Sequence, residues 1–319
     1  MQLRSLALAS IFAGLPFVLS CEGQILSPES TTGGPATTGA PGGIGTPGGV
    51  GITGAAGRFD PTGAAGRPMT GPAGTTGAAG STGAARATGA GGSTTTVAGT
   101  IVPLYTEPDD PSWTAIVEAK MAHPTVRVVA IVNPNDGPGS SLSRAYTTGI
   151  AKLVAADIQV IGYVATGYAS NSIASVEATI DKWKSFYPQL EGIFFDEQSN
   201  KAKDVAHYQM LSQYAKSRGL SYTVGNPGID TDEAYVGVLD TMLIYETDGV
   251  PSVSQMAGWH TKYPKTNFGI IPYKVSAINA SFVATARAYV GYIYLQSDDL
   301  PNPWDSLPSY FAELLAALE

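Results

Sequence analysis

The chain has 319 residues, with 18 Lys and Arg against 26 Asp and Glu and a formal net charge of −8 at pH 7. Residues 22–99 hold 23 of the 38 glycines, whereas all 4 Trp and all 16 Tyr lie beyond that segment. The acidic charge disfavours nucleic-acid binding, and a segment without large apolar side chains cannot bury enough surface to fold. One folded domain, residues 100–319, is therefore predicted, long enough for a large core.

The first 20 residues have the pattern of a secretory signal peptide. Arg4 forms a short basic region, and Leu6 to Leu19 form an apolar stretch too short to favour a transmembrane helix. The following Val18-Leu19-Ser20-Cys21 is similar to a bacterial lipobox, which ends in a lipidated cysteine. We expect an exported lipoprotein of the cell surface or outer membrane, anchored through Cys21; an ordinary signal peptide and a secreted protein are the alternative.

Residues 21–99 contain this cysteine and a Gly/Ala/Thr-rich linker. From Gly42 to about Gly92 glycine recurs at every third position, as in collagen, where only Gly fits the axis of the triple helix. The period is broken, for example at Asp60 and Arg86, and proline is sparse. We therefore expect a disordered, flexible tether before the domain; a trimeric collagen-like stalk is the alternative.

Beyond residue 97, apolar runs of strand length alternate with amphipathic segments of helix length. Eight such strands alternating with helices predict an α/β fold, a (β/α)8 TIM barrel. An open doubly wound sheet is the alternative, but no glycine-rich phosphate loop follows the first strand. The predicted strands are Ile101–Tyr105, Val126–Asn133, Val160–Thr166, Gly192–Asp196, Tyr222–Asn226, Met242–Glu246, Phe268–Tyr273 and Gly291–Gln296. The predicted helices are Trp113–Ala122, Ser143–Ala156, Ile173–Tyr187, Val205–Ser217, Glu233–Leu239, Val253–Lys262, Phe282–Tyr289 and Leu307–Leu318.

Three carboxylates end two of these strands. Asp196 and Glu197 follow the apolar fourth strand, and Glu246 ends the sixth. The C-terminal strand ends of a TIM barrel form the mouth in which its chemistry occurs, and two carboxylates facing one cleft are the equipment for cleaving a glycosidic bond. Because side chains alternate along a strand, we expect only one of Asp196 and Glu197 to point into the mouth. A cap of the next helix or a salt-bridge partner is the alternative for a single acid here, but it explains two acids in succession less well.

Amide and aromatic side chains lie at or near the C-terminal ends of the predicted strands. Tyr rings can stack on the apolar faces of sugars, and amides can hydrogen-bond hydroxyl and acetamido groups. Two of the amides precede a proline, so a chain-turning role stays open for them. Together these residues predict a carbohydrate-binding mouth made of Tyr105, Asn133, Tyr163, Asn226, Tyr245, Tyr273 and Gln296.

Other chemistries have less support. His123, His207 and His260 lack metal-ligand spacing, no Gly-x-Ser-x-Gly elbow occurs, and the single cysteine precedes the domain. We expect neither a metal nor a cofactor, although a magnesium site on Asp196 and Glu197 is an alternative. Residues 100–319 carry 14 Lys and Arg against 23 Asp and Glu, a net charge of −9. Such a surface repels anionic polymers but not a neutral or cationic polysaccharide.

A set of motifs in the predicted domain resembles the spherulin-4-like (spherulation-specific) family of cell-surface proteins. The resemblance covers essentially all of residues 100–319 and none of the linker. The motifs are, in order, Val102-Pro103-Leu104-Tyr105, Asn133-Pro134-Asn135-Asp136-Gly137-Pro138-Gly139, Gly162-Tyr163-Val164, Gly192-Ile193-Phe194-Phe195-Asp196-Glu197, Asn226-Pro227-Gly228 and Tyr245-Glu246.

This resemblance implies a (β/α)8 glycoside hydrolase that cuts galactosaminogalactan internally at α-1,4-N-acetylgalactosaminidic bonds. The family's acidic trio matches Asp196, Glu197 and Glu246. We expect an exported, monomeric endo-acting enzyme on an N-acetylgalactosamine-containing exopolysaccharide, of the kind found in biofilms. Asp196 would serve as nucleophile or charge stabiliser, Glu246 as general acid/base, and Glu197 would tune the pKa values of its neighbours. A non-catalytic carbohydrate-binding lipoprotein is the alternative.

Overall fold

The computed structural model of the protein describes residues 98–319. The eight strands are β1 (Thr100–Leu104), β2 (Val128–Val132), β3 (Gln159–Ala165), β4 (Gly192–Asp196), β5 (Tyr222–Gly225), β6 (Thr241–Leu243), β7 (Phe268–Ile270) and β8 (Tyr292–Ile293). They pair in parallel in sequence order, and Gly99 closes the ring against β8: its N–H donates to the Gly291 carbonyl at 2.8 Å, and its carbonyl accepts from Ile293 N–H at 3.0 Å. The predicted TIM barrel is confirmed; the signal peptide, Cys21 and the tether lie outside the described residues.

This part of the chain has seven α-helices, of which six connect strands and the last follows β8. They are α1 (Pro111–Ala122), α2 (Arg144–Ala155), α3 (Ile173–Phe186), α4 (Val205–Ser217), α5 (Val253–Met256), α6 (Ala280–Ala286) and α7 (Phe311–Leu318). The sequence marks where several begin, because the side chains of Asp110, Ser143 and Ser172 accept hydrogen bonds from the first turns of α1, α2 and α3. None of the helices in residues 98–319 has the length and apolar character needed to cross a membrane.

The barrel wall and α3 approach each other closely at Gly162 of β3. A Cβ atom at this position would lie 2.7 Å from the indole of Trp183, which is fully buried. The same indole N–H donates to the carbonyl of Tyr163 at 2.8 Å. Glycine therefore lets α3 pack directly against the backbone of the strand that carries Tyr163 to the mouth.

Arg127 closes the N-terminal end of the barrel. Its guanidinium lies 4.6 Å from the ring centroid of Tyr222 and 5.5 Å from that of Tyr292, and it donates to the Tyr292 hydroxyl and to Gln159 Oε1. These cation–π and hydrogen-bond contacts tie together β2, β3, β5 and β8. Arg127 therefore has a structural role at the end of the barrel opposite to the mouth in which TIM barrels carry their chemistry.

Two predicted helices differ from the structure. The segment Val253–Lys262 divides into the short α5 and a 3-10 turn, because Gly258 takes a left-handed backbone with φ 76°. Within Glu233–Leu239 only one 3-10 turn forms, at Glu233–Tyr235, followed by Gly237 with φ 84°. The chain therefore runs from β5 to β6 without an α-helix.

Candidate active site

A cavity of about 520 Å³ opens at the C-terminal ends of the strands. Its walls combine acids, amides, aromatic rings and apolar side chains from several strand ends and loops. The acids are Asp196, Glu197 and Glu246; the amides are Asn133, Asn226 and Asn302; and the aromatic rings are Tyr105, Tyr163, Tyr168, Phe194, Tyr273 and Trp304.

Both acids at the end of β4 line this cavity. Asp196, the last residue of the strand, faces inward with Phe194, as alternation requires. Glu197 has a left-handed backbone, with φ 52°, which is uncommon for a residue other than glycine. Alternation applies only to extended backbone, so this turn brings Glu197 to the same cavity. The expectation that only one of the two acids points into the mouth was therefore wrong.

The amide of Asn226 joins the acids of β4 and of the segment after β6. Its Nδ2 group donates to Asp196 Oδ1 at 2.9 Å and to Glu246 Oε2 at 2.6 Å. The two carboxylate oxygens therefore lie no farther apart than the sum of these distances, 5.5 Å. Asn226 Oδ1 accepts the N–H of Gly228 at 3.1 Å, and Glu246 N–H donates to the Gly228 carbonyl at 2.8 Å. The loop after β5 thus fixes the amide and Glu246 together.

The surroundings of Asp196 and Glu246 separate their proton affinities. Desolvation, and next the charge of Asp196, raise the pKa of Glu246 to about 8, against hydrogen bonds from Asn226 and the Trp304 indole. Desolvation also raises the pKa of Asp196, but hydrogen bonds from Asn226, the Tyr163 hydroxyl and its neighbour's backbone N–H oppose it. Because three donors stabilise the carboxylate of Asp196, it holds the negative charge, and Glu246 holds the proton at neutral pH.

Glu197 is the third acid of the cavity. Desolvation and then the charge of Asp196 raise its pKa, and the backbone N–H of Gly167 opposes them. Asp196 is the charge that raises the pKa of Glu246. Glu197 affects Asp196 through its backbone N–H, whose hydrogen bond lowers the pKa of Asp196.

In residues 98–319, no group of three His, Cys, Asp or Glu side chains could hold a metal ion.

Tyrosine and tryptophan rings surround the acids. Tyr105 and Tyr163 meet edge to face, with ring centroids 5.7 Å apart. Burial, followed by the charge of Asp196, raises the pKa of both phenols, so both stay neutral and can donate hydrogen bonds. On another wall, Tyr273 and Trp304 are also edge to face, at 6.5 Å. The mouth therefore offers apolar ring surfaces beside charged and hydrogen-bonding groups.

The structure separates the predicted binding residues into two groups. Tyr105, Tyr163, Asn226 and Tyr273 line the cavity, as does Asn133, whose side chain also accepts the N–H of Gly137 and so turns the chain. Tyr245 and Gln296 do not line it. Gln296 is fully buried and donates to the Ser306 carbonyl at 2.9 Å, so it holds the loop after β8. Tyr245 is also buried, with its hydroxyl on the Asp248 carbonyl.

Sequence reasoning missed Tyr168 and Trp304. Both line the cavity from loops, after β3 and after β8 respectively. Hydrophobic periodicity carries no information about loops, so neither residue belonged to a predicted element. An aromatic residue beside glycine or proline in the loop that follows a barrel strand, as in Gly167-Tyr168 and Pro303-Trp304, is the signal that would have found them.

Comparisons with known proteins agree with the fold. The sequence model of spherulation-specific family 4 matches residues 99–318. Spherulin-4 of Physarum polycephalum is 35% identical over 235 residues, which are 68% of this chain and 69% of that protein. The crystal structure of Aspergillus clavatus Sph3 in complex with GalNAc matches with a TM-score of 0.61 at 23% identity, covering 69% of this chain and 97% of that one. At this identity the structural likeness establishes the fold alone.

Proposed function

The chain belongs to spherulation-specific family 4, and on this premise we propose that it is a glycoside hydrolase that cleaves an N-acetylgalactosamine-containing polysaccharide at internal bonds. The observation that carries the proposal is the Asn226 amide shared by Asp196 and Glu246. Glycosidases use two neighbouring carboxyl groups whose pKa values differ, so that one is protonated while the other is ionised. The GalNAc bound in the Sph3 structure supports the choice of sugar.

The spacing of the acids supports a retaining mechanism. Retaining enzymes hold their carboxyl groups about 5–5.5 Å apart, whereas inverting enzymes leave about 6.5–9.5 Å for a water molecule. Asp196 Oδ1 and Glu246 Oε2 are at most 5.5 Å apart. The ionised Asp196 would attack the anomeric carbon, while the protonated Glu246 gives its proton to the oxygen of the departing sugar.

The second half of the reaction returns both acids to their starting states. Glu246, now ionised, removes a proton from water as the water oxygen bonds to the anomeric carbon. The ester bond to Asp196 breaks, and its electron pair returns to the carboxylate. Hydrogen bonds from Asn226 and the Tyr163 hydroxyl stabilise that leaving carboxylate. No cofactor is required.

Substitution of the two acids tests the proposal. Asp196→Asn and Glu246→Gln keep the side-chain volume but remove the charge or the transferable proton. Each should slow the release of oligosaccharides from galactosaminogalactan by about 10²–10⁴-fold. The exposed Asp305→Asn and Glu313→Gln, which do not line the cavity, serve as matched controls and should cleave normally. A wild-type protein that binds the polymer without cutting it would favour a carbohydrate-binding surface protein instead.

The anomer released first tests the stereochemical part separately. NMR spectra taken within the first minutes of cleavage should show the new reducing end in the α configuration, because two displacements restore the configuration of an α linkage. The β anomer appearing first would exclude a covalent intermediate on Asp196, while leaving hydrolysis itself intact.

The location of the protein is a separate part of the proposal. The lipobox-like Val18-Leu19-Ser20-Cys21 supports export and lipidation of Cys21, with the barrel acting outside the cell. Wild-type protein should fractionate with membranes and label with a palmitate analogue. Cys21→Ser should abolish the label and release the protein. Wild-type protein free in the medium, with an N-terminus other than Cys21, would contradict the anchor.

A further inference from the structure

The loop after β3 contains three consecutive residues with left-handed backbone. Gly167, Tyr168 and Ala169 have φ values of 58°, 54° and 69°. L-residues rarely adopt this conformation, and such strain persists only where surrounding contacts hold it, most often at functional sites. The turn therefore requires contacts that stabilise it, and its strain indicates that this loop has a function.

Glu197 supplies these contacts. Its Oε2 atom accepts the N–H of Gly167 at 3.1 Å, and its backbone carbonyl accepts the N–H of Tyr168 at 2.7 Å. Buried contacts also hold the base of the turn: the hydroxyl of the fully buried Thr166 contacts the Glu197 carbonyl at 2.8 Å and the Tyr208 hydroxyl at 2.7 Å. The third acid of the cavity and the strained turn therefore form one unit.

The turn presents the ring of Tyr168 at the rim of the cavity. Tyr168 is 49% exposed and lines the cavity. Burial of its phenol, followed by the charges of Glu197, Asp196 and Glu246, raises its pKa, and all three acids line the same cavity. The ring is not isolated: of the 8 large hydrophobic side chains exposed in residues 98–319, Tyr168, Ile229 and Leu300 all line this cavity, each from a different loop.

Exposed apolar side chains gathered around a polar cavity mark a surface that a ligand covers. The ligand of the proposed function is a chain of sugars, whose C–H faces are apolar and whose edges are polar. A tyrosine ring at the rim matches such a face. The rim side chains lie around the acids. They would therefore contact a sugar ring of the polysaccharide other than the one whose bond is cleaved.

We propose that Tyr168 is a stacking platform for a neighbouring sugar ring of the polysaccharide, and that Glu197 is the positioning residue that holds this platform. The inference deepens the proposed function and rests on it. It gives the third acid a task that needs no proton transfer: an oxygen acceptor for Gly167 N–H at the base of the turn.

The first test separates substrate binding from chemistry. In the full chain, Tyr168→Ala should raise KM for galactosaminogalactan by about 3- to 10-fold and shift the products toward longer fragments, with a much smaller effect on kcat. Tyr168→Phe and Tyr168→Trp keep a ring and should restore KM. Met210→Ala, which removes an exposed side chain on α4 outside the cavity, is the control. A wild-type KM for Tyr168→Ala would overturn the platform.

The second test concerns Glu197. Glu197→Gln keeps an oxygen acceptor for Gly167 N–H and should leave KM close to the wild-type value, whereas Glu197→Ala loses this acceptor but keeps the backbone contacts, so it should raise KM by no more than Tyr168→Ala does. The double variant Glu197→Ala/Tyr168→Ala should raise it no further, because both changes remove one platform. Additive effects, or an unchanged KM in Glu197→Ala, would overturn the positioning role.

Failure of this inference can be told from failure of the proposed function. If the wild-type protein cleaves no galactosamine polymer, the proposed function is wrong. The platform is then tested by the retardation of wild-type and Tyr168→Ala proteins in gels that contain the polymer, where equal mobility would overturn it. If the wild-type protein cleaves the polymer but Tyr168→Ala leaves KM unchanged, only the role of Tyr168 as a stacking platform is wrong.

Discussion

At the scale of single residues, one amide organises the chemistry of this site. Asn226 donates to both Asp196 and Glu246 and so bridges two carboxyl groups in a desolvated site, where ionising both is unfavourable. The pair therefore shares one negative charge at neutral pH, and the additional donors to Asp196 decide where that charge lies.

The pH dependence of catalysis should report this division. Glu246, with a pKa raised to about 8, must be protonated to act as the acid, so kcat/KM should fall as the pH rises through about 8. It should also fall at low pH, where Asp196 takes up a proton. Kinetics across pH 4–10 check this. In Glu246→Gln the alkaline decline should vanish from the residual rate; its persistence there would assign the decline to another group.

At the scale of secondary-structure elements, the site depends on how β3 is supported from behind. Trp183 of α3 packs on Gly162 and binds the carbonyl of Tyr163, the residue whose side chain reaches Asp196 on the inner face. Helix packing on the outside of the barrel therefore sets the position of a hydrogen-bond donor on the inside.

Gly162→Ala tests this packing. The added methyl group would meet the indole of Trp183 at 2.7 Å, so we expect the free energy of unfolding to fall by about 1–3 kcal/mol, measured by urea denaturation. Trp183→Phe supplies a smaller ring, and the double variant should lose less stability than the two single variants together. Full additivity would show that the indole does not limit the space at residue 162.

At the scale of the whole molecule, closure of the barrel depends on the residue just before β1. Gly99 joins the first strand to β8 through two backbone hydrogen bonds. A chain of residues 98–319 should therefore unfold cooperatively and keep its activity toward the polymer. A chain that starts at residue 102 lacks this closure and should be less stable, as measured by thermal unfolding. Equal melting temperatures for the two chains would contradict the role of Gly99.

The acids of the mouth should also make the stability of the barrel depend on pH. The pKa of Glu246 in the folded protein, about 8, lies above its ordinary 4.5, so the folded state holds this proton more tightly than the unfolded chain does. Its contribution to stability is complete below pH 4.5 and is lost as the pH rises to about 8.

Glu246→Gln removes this linkage. The variant should have a higher free energy of unfolding than the wild-type protein at pH 8, and the difference should shrink at pH 4. Urea denaturation at both pH values measures it, with the exposed Glu313→Gln as a control that should change neither. A variant that is less stable than the wild-type protein at pH 8 would show that the carboxylate stabilises the fold rather than strains it.

The sequence by itself determined the barrel and placed acids at its mouth, although only one of Asp196 and Glu197 was expected to face the cavity and Glu246 lies beyond β6 rather than at its end. Strand and helix identities follow from local periodicity, which is why β4 (Gly192–Asp196) and α4 (Val205–Ser217) have the predicted bounds. The order of motifs likewise identified the family. Helix ends near Gly237 and Gly258 were missed because single left-handed glycines interrupt a pattern that averages over several residues.

Only the tertiary structure decided how these residues act together. The left-handed turn at Glu197, the amide of Asn226 between two acids and the indole of Trp304 on Glu246 all join segments that are distant in sequence. The same applies to Gln296, which ends a predicted strand yet binds its own loop. The physical reason is that strand formation depends on neighbouring residues, whereas the direction of a side chain at a strand end depends on one backbone angle and on the loops packed against it.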